Sequence, residues 1–416
     1  MSYLRCLRGT GSGREYPADR LMNLDPEDGR PVEAVLDLDR LARDYPDHGW
    51  YQPDRRDMWR FGALLALDVG DPADRQSIVS LGEGATPLDR FAHPAADHVE
   101  FDLWVKDEGR PRPGYGANPT LSFKDRGIAM AVSMARHHGV ERLAIPTQGN
   151  AGDSLAEYAL AAGIEAAIVM PDDTPMPVLG RVAALAAMHP GRIHLDLVQG
   201  TIREAGRRVK EHWLDRGFFS VATFVEPGWR IEGKKTLGLE IAEPGGAGKR
   251  WSLPDVIVYP TGGGTGILGM WKAFDELQSL GLLDGRRPRM VSVQSEATQP
   301  LVRALQAGLA EPEPRDPGET VATGVNVAGG VGHFRVLDIL RASGGTALAV
   351  GEDLIREELR ALWQSGRHWI CPEGAACLAA LEPLAERGVI RPGETVTVVN
   401  TASLEKYLPE VRDLLD

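Results

Sequence analysis

The sequence predicts an α/β protein built on mostly parallel sheet with helices on both faces. Three observations carry that prediction. From about Leu81 onward, short apolar runs alternate with helix-length segments, the pattern that covers a parallel sheet on both sides. The segment Asp255–Tyr259 is apolar after its first residue, as a strand buried on both faces must be. Polar or glycine-rich turns follow three of the strands at their carboxyl ends, where open parallel sheets bind ligands.

The elements follow in order. Residues 1–75 are rich in Arg, Asp and Pro with little periodicity, so they predict an extended N-terminal arm with short elements. A helix runs Lys124–His138, N-capped by Ser122 and with Asp125 in its first turn. Arg142–Pro146 is a strand and Ala151–Ala162 a helix. Ala166–Met170 is a strand, and a helix opens near Pro175. His194–Val198 is a strand followed by a helix over Ile202–Trp213. Asp255–Tyr259 leads through a glycine turn into a helix over Ile267–Leu277. Met290–Gln294 and Thr395–Val399 are further strands. Glu311–Gly318 is a surface loop, and Gly329–Gly332 a second glycine-rich turn.

Composition excludes several classes. The chain has 416 residues, 43% hydrophobic and 25% charged, which fits a soluble globular protein of two or more domains. A formal net charge of −13 argues against nucleic acid or an anionic membrane as partner. No apolar run is long enough to span a bilayer, and MSYLRCLRGTGSGREYPADR lacks the apolar segment of a signal peptide. A cytoplasmic location is the expectation. Three cysteines, Cys6, Cys371 and Cys377, cannot make a disulfide framework. Cys371 and Cys377 bracket PEGAA without metal-ligand spacing, and both read as small packing residues.

Three strand-end turns carry the candidate chemistry. Thr261-Gly262-Gly263-Gly264-Thr265-Gly266 follows Pro260. Its glycines let backbone N–H groups converge on a phosphate, and the helix behind adds its positive end. It lacks the Lys-[Ser/Thr] ending of a nucleotide P-loop and does not match a dinucleotide fingerprint. A tight turn without ligand remains the alternative. Thr147-Gln148-Gly149-Asn150 follows Pro146, and Asn150 either N-caps a helix or offers an amide to a ligand. Asn400-Thr401-Ala402-Ser403 follows Val399, where Thr401 and Ser403 either form a turn or present a hydroxyl to a ring nitrogen. Lys124 stands at a helix start, where the dipole disfavours its charge, as an imine-forming lysine requires. It also reads as an exposed lysine held by Asp125 or Glu108.

Together these motifs resemble the threonine synthase family within the tryptophan-synthase-β-like pyridoxal-phosphate enzymes. Leu81-Gly82-Glu83-Gly84-Ala85-Thr86-Pro87-Leu88 is similar to the family's GEGxTPL. Asn118-Pro119-Thr120-Leu121-Ser122-Phe123-Lys124-Asp125-Arg126-Gly127 resembles NPTGSFKDRG, whose lysine holds the cofactor as a Schiff base and maps onto Lys124. The resemblance implies that Asn150 meets the pyridoxal oxygen, that Gly262, Gly263, Gly264, Thr265 and Gly266 hold the cofactor phosphate, and that Thr401 meets the pyridine nitrogen. Arg230-Ile231-Glu232-Gly233-Lys234-Lys235-Thr236 resembles R-[LI]-E-G-[QK]-K-T, whose arginine contacts substrate phosphate. Thr147, Gln148, Glu226 and Arg230 are thereby implicated in substrate binding.

The resemblance implies two open parallel-rich sheets of the pyridoxal-phosphate fold type II. A large cofactor-binding domain would comprise residues 76–124 and 227–416, and a small mobile domain residues 125–226. The arm over residues 1–75 resembles a zinc ribbon that keeps only Cys6 of four ligands, so no metal is expected. An amino-acid substrate, a homodimer and the conversion of O-phospho-L-homoserine plus water to L-threonine and phosphate are further implications, with the freed Lys124 amine as general base. Departures from the pattern leave room for a related β- or γ-replacement enzyme of the cysteate- or diamino-acid-synthase sort, or for a silent partner protein. Leu121 replaces a glycine, Gln148 a threonine and Ala151 a hydroxyl residue, and Glu226 stands where Asn is usual. Arg230 could instead be neutralised by Glu226 or Glu232.

Overall fold

The computed structural model describes residues 2–245 and 249–414. The chain forms two compact units, one of Met1–Gly84 with Asn118–Thr236 and one of Ala85–Ala117 with Leu237–Asp416. Among the described residues no helix is long and apolar enough to cross a membrane.

The first unit holds a four-stranded parallel sheet in the order Ile193–Val198, Glu165–Pro171, Arg142–Pro146, Phe219–Ser220. All its pairings are parallel. Glu165–Pro171 is buried along nearly its whole length, as a central strand covered on both faces should be. The helix Lys124–His137 packs against the helix Asn150–Ala162. It also meets Trp229–Ala242 at backbone distance, because two glycines face that crossing. A Cβ on Gly233 would lie 2.0 Å from the Arg126 carbonyl oxygen, and one on Gly127 would lie 3.1 Å from that of Arg230. This contact fixes the height of Lys124's helix.

The second unit holds six strands in the order Thr346–Val350, Arg289–Ser295, Val256–Pro260, Thr395–Asn400, Asp102–Asp107, Leu88–Arg90. Only the last pair is antiparallel. Its core runs through Val258, Val291, Val396, Leu378 and Leu381. Buried polar groups knit one edge. Glu240 accepts from the Ala85 and Thr86 N–H groups and pairs with Lys106 at 2.7 Å, both side chains being 1% exposed.

The predicted α/β class and both parallel-rich sheets are present. The strands at Arg142, Ala166, His194, Val256, Met290 and Thr395 lie where the sequence placed them, within a residue or so. Three details differ. Residues 4–36 of the arm form an antiparallel sheet, with Leu4–Gly9 between Glu15–Pro17 and Val32–Leu36. Leu7, Tyr16, Met22 and Val32 make its core. Its polar hub is Asp25, which accepts from Ser12, the Tyr16 hydroxyl and the Glu27 N–H. Burial raises that carboxyl, but these donors outweigh it and hold it below its ordinary value. Second, the helix expected over Ile202–Trp213 is α-helical only to Arg208, and Val209–Trp213 winds as a π-helix. The wider turn brings the Trp213 indole N–H to Asp196 at 2.9 Å and its ring edge-on to Phe218. Third, the helix at Lys124 is capped at Phe123 rather than Ser122, although the Ser122 hydroxyl still accepts the Lys124 N–H at 3.2 Å.

The glycine crossing yields a direct test. Gly233→Ala should destabilise the protein by about 1–3 kcal/mol, because a Cβ must displace backbone rather than a flexible side chain. Chemical denaturation of the variant would read this, and an unchanged midpoint would mean the two helices separate freely.

Candidate functional site

In the first unit, Lys124 opens its helix from a loop held by buried polar contacts. Asp125 does not simply face the helix end. Its carboxylate accepts from the Thr120 N–H at 2.8 Å and the Thr120 hydroxyl at 2.7 Å, closing the loop onto the helix. Asn118 accepts the Leu121 N–H through its backbone carbonyl and the Gly84 N–H through its side chain. Leu121 sits at φ 57°, in the left-handed region that favours glycine. The loop therefore keeps the backbone path that glycine would take at no cost. Phe123 carries two amines. Lys124 Nζ lies 4.8 Å from its ring centroid and Lys234 Nζ 3.1 Å. Lys234 is fully buried and donates to the Phe123 carbonyl at 2.5 Å.

The turn after Pro146 is set by Thr147, whose hydroxyl oxygen accepts the Gly149 N–H at 3.1 Å. Asn150 is the first residue of its helix, and the cap position belongs to Gly149, so Asn150 does not serve as the N-cap. Gln148 is half-buried in this turn.

Arg230 and Glu226 are both buried in the first unit. They do not form the ion pair considered from the sequence. Arg230 Nη1 donates to the Val221 carbonyl at 3.3 Å and the Thr223 hydroxyl at 3.2 Å. Glu226 Oε1 accepts the backbone N–H of Arg230 at 3.0 Å. Glu226 Oε2 and Arg230 Nε have no hydrogen bond among the described residues. Burial pushes the Glu226 carboxyl up to about 7 against the opposing pull of Arg230. Glu232 takes Lys235 as its partner, at 2.8 Å.

In the second unit, parallel pairing of Val256–Pro260 with Thr395–Asn400 sets Val258 opposite Val398. The turns that follow, Thr261–Gly266 and Thr401–Ser403, thus leave neighbouring strands at the same end. Only glycine fits the first of them. A Cβ at Gly262 would lie 2.3 Å from the Gly324 carbonyl oxygen, one at Gly266 2.1 Å from the Tyr259 hydroxyl, and Gly264 has φ 88°. Thr265 begins a helix running to Ser279. Backbone N–H groups at the head of a long helix, behind a turn of three successive glycines, suit a phosphate. Thr401 is buried, and its hydroxyl lies 3.8 Å from the Cys371 sulfur. Cys371 does more than pack, because its sulfur caps the helix Pro372–Ala379.

Sequence reasoning missed His333. It is fully buried beneath the glycine turn. Its Nδ1 accepts the Gly330 N–H at 3.1 Å, so the proton sits on Nε2, which donates to the Gly262 carbonyl at 2.8 Å. Burial lowers its pKa, which keeps this neutral tautomer. The turn Gly329–Gly332 is the signal that could have found it.

A family model described as pyridoxal-phosphate dependent enzyme matches residues 79–402. The threonine synthase of Methanosarcina acetivorans is 30% identical over 416 residues, all of this chain and 95% of the relative. That of Methanocaldococcus jannaschii is 29% identical, covering 95% of this chain and 91% of the relative. Among solved structures, the processed threonine deaminase isoform 2 of Solanum lycopersicum aligns with a TM-score of 0.62 at 22% identity, over 83% of this chain and 90% of that one. Diaminopropionate ammonia lyase of Escherichia coli, solved with an aminoacrylate–cofactor intermediate, gives 0.62 at 19%, over 82% and 90%.

The buried brace at His333 predicts a graded defect. His333→Leu should leave the fold intact but release pyridoxal phosphate about tenfold more readily on dialysis, through loss of the hydrogen bond to the Gly262 carbonyl. Equal retention by both proteins would show that the imidazole does not brace the loop.

Proposed function

The chain belongs to the pyridoxal-phosphate-dependent enzyme family, and from that premise we propose that it is a threonine synthase-type lyase acting on an amino acid. The reaction is O-phospho-L-homoserine plus water to L-threonine and phosphate. The observation that carries this reading is likeness to threonine synthases along the whole chain, 30% over all 416 residues. The strand-end residues offer the right chemistry. Lys124 is the residue that would hold the cofactor covalently. The N–H groups of Gly262–Gly266 would hold its phosphate, Asn150 its phenolic oxygen and Thr401 its ring nitrogen. When bound, the cofactor supplies an electron sink for a carbanion at the substrate's α-carbon.

The protein's own groups supply position and proton transfer. The Lys124 amine takes the proton from the substrate α-carbon and returns it later, acting as base and then acid. The amine sits at the positive end of its own helix, and Lys234 lies over the same phenyl ring. Thr401 would meet the ring nitrogen with a neutral hydroxyl, which offers it no charge. Thr147 and Gln148 shape the turn that faces the substrate, and Arg230 takes its anionic end. Water adds at the β-carbon after the γ-phosphate leaves, so one carbon–oxygen bond breaks and another forms.

A second reading rests on Glu226. Its uncommitted carboxyl oxygen beside Arg230 disfavours a phosphate dianion when ionised and favours a donor with an ammonium or neutral leaving group. Phosphate release from O-phospho-L-homoserine separates the two readings.

Borohydride reduction of the loaded enzyme followed by peptide mapping should place the pyridoxyl group on Lys124, and Lys124→Ala should yield none. A reduced adduct on another lysine would end the assignment. Glu226 gives a pH test. With its carboxyl near 7, it is neutral below that value and anionic above it. kcat/KM for O-phospho-L-homoserine should therefore fall as pH rises through about 7. Glu226→Asn should remove that limb and raise kcat/KM about tenfold at pH 8, one repulsive contact at roughly 1.4 kcal/mol. A wild type that improves with pH, or is harmed by the substitution, would show that Glu226 does not face the substrate anion.

A further inference from the structure

The second unit contains a cavity of about 370 Å³ that none of the residues assigned above lines. Asp89, Arg90, Phe91, Asp107, Arg110, Arg112, Arg367 and Trp369 form most of its wall. Four arginines against two aspartates give it a formal surplus of two positive charges, in a chain whose net charge is −13. Concave surfaces of one sign concentrate counter-ions of the other.

Two of the arginines are already engaged. Arg112 pairs with Asp89, and Arg90 with Asp102 at 3.1 Å. The other two lie over aromatic rings. The Arg110 guanidinium lies 3.6 Å from the Trp369 ring centroid and that of Arg367 4.6 Å from that of Phe91. Stacking fixes the plane of a guanidinium and leaves its N–H edge for a ligand. Arg110 has one carboxylate neighbour, Asp107 at 3.5 Å, and its buried Nε makes no hydrogen bond; Asp107 Oδ2 makes none either. Among the described residues, Arg367 forms no ion pair and no side-chain hydrogen bond. Burial pushes the Asp107 carboxyl up, which weakens the one negative group that competes for Arg110.

We propose that this cavity binds a small metabolite through an oxyanion, a carboxylate or phosphate, gripped by the N–H edges of Arg110 and Arg367. The geometry suits paired N–H···O contacts, which are shorter and stronger than neutral hydrogen bonds. The site also touches the strand that leads into Thr401. Asp107 Oδ1 accepts from the Asn400 amide at 2.9 Å, and the Trp369 carbonyl accepts the Leu404 N–H at 3.2 Å.

The test is titration calorimetry on the full chain loaded with cofactor, which occupies the glycine turn. Inorganic phosphate and succinate are the probes, at constant ionic strength. One of them should bind the wild type, and which one does identifies the oxyanion. Arg367→Ala should weaken that binding about tenfold or more, the loss of a charge-assisted contact. Arg110→Lys keeps the charge but loses the fork, and should weaken it as well. Circular dichroism and cofactor content should be unchanged in both variants. Neither probe binding the wild type, or both variants binding as the wild type does, would overturn the proposal.

Discussion

The parallel pairing of Val256–Pro260 with Thr395–Asn400 is the constraint on which the second unit's chemistry depends. Parallel strands cannot be joined by a tight hairpin, so each must be followed by a turn and a crossover. Two neighbours in register deliver two such turns at one sheet end. Everything placed there inherits the strands' rigidity. The glycine turn needs an absence of side chains, and the neighbouring backbone enforces it, since a Cβ at Gly262 would strike the Gly324 carbonyl. Gly324 is in turn held by Glu373, whose carboxylate accepts its N–H at 2.7 Å. Steric necessity and hydrogen bonding thus specify the same backbone path, so the turn is held organised by the protein's own contacts.

The first unit solves a different problem, that of holding charged groups out of water. Glu83 accepts from Trp59, Tyr158 and the Leu81 N–H, each at 2.8 Å. Burial still pushes its carboxyl up to about 7, since desolvation exceeds what its donors return. Lys234 and Lys235 are buried as completely, one on a carbonyl and a phenyl ring, the other on Glu232. Buried charges survive only with such partners. The segment Arg230–Thr236 is therefore a polar layer more than an apolar one. It packs closely because Gly233 lets its backbone touch that of Arg126.

Six strands of the two parallel-rich sheets and their strand-end turns were legible because short apolar runs stop abruptly at polar or glycine-rich turns, whereas Leu88–Arg90, Asp102–Asp107, Phe219–Ser220 and Thr346–Val350 were not read from the sequence. The N-terminal sheet was not, since its strands have three to six residues and present too few alternations to register as a period. Asp25 reads locally as one more loop acid, and its role exists only once Ser12 and Tyr16 fold over it. His333 was hidden for a similar reason. Its partner, Gly262, lies 71 residues earlier in the chain, and no local pattern encodes that pairing. Asn150 shows a subtler limit. Asn before a helix usually caps it, but Gly149 takes the cap position here, a one-residue shift that propensity does not resolve.

The unclosed pair Glu226 and Arg230 shows why burial alone does not identify a structural ion pair. Two opposite charges four residues apart in sequence, both nearly inaccessible, would gain most by meeting side chain to side chain. Here the carboxylate instead takes the first helical N–H it can reach, that of Arg230 itself. Neutral oxygens of Val221 and Thr223 orient the guanidinium. Orientation by neutral acceptors leaves the arginine's charge uncancelled at contact range, whereas a carboxylate partner would have consumed it. The carboxyl group also retains an oxygen that no donor among the described residues satisfies. Each unmade bond costs about 1–3 kcal/mol in a dry interior. The segment thus keeps a buried positive charge and an unsatisfied carboxyl oxygen four residues apart, at a cost that the packing around them must offset.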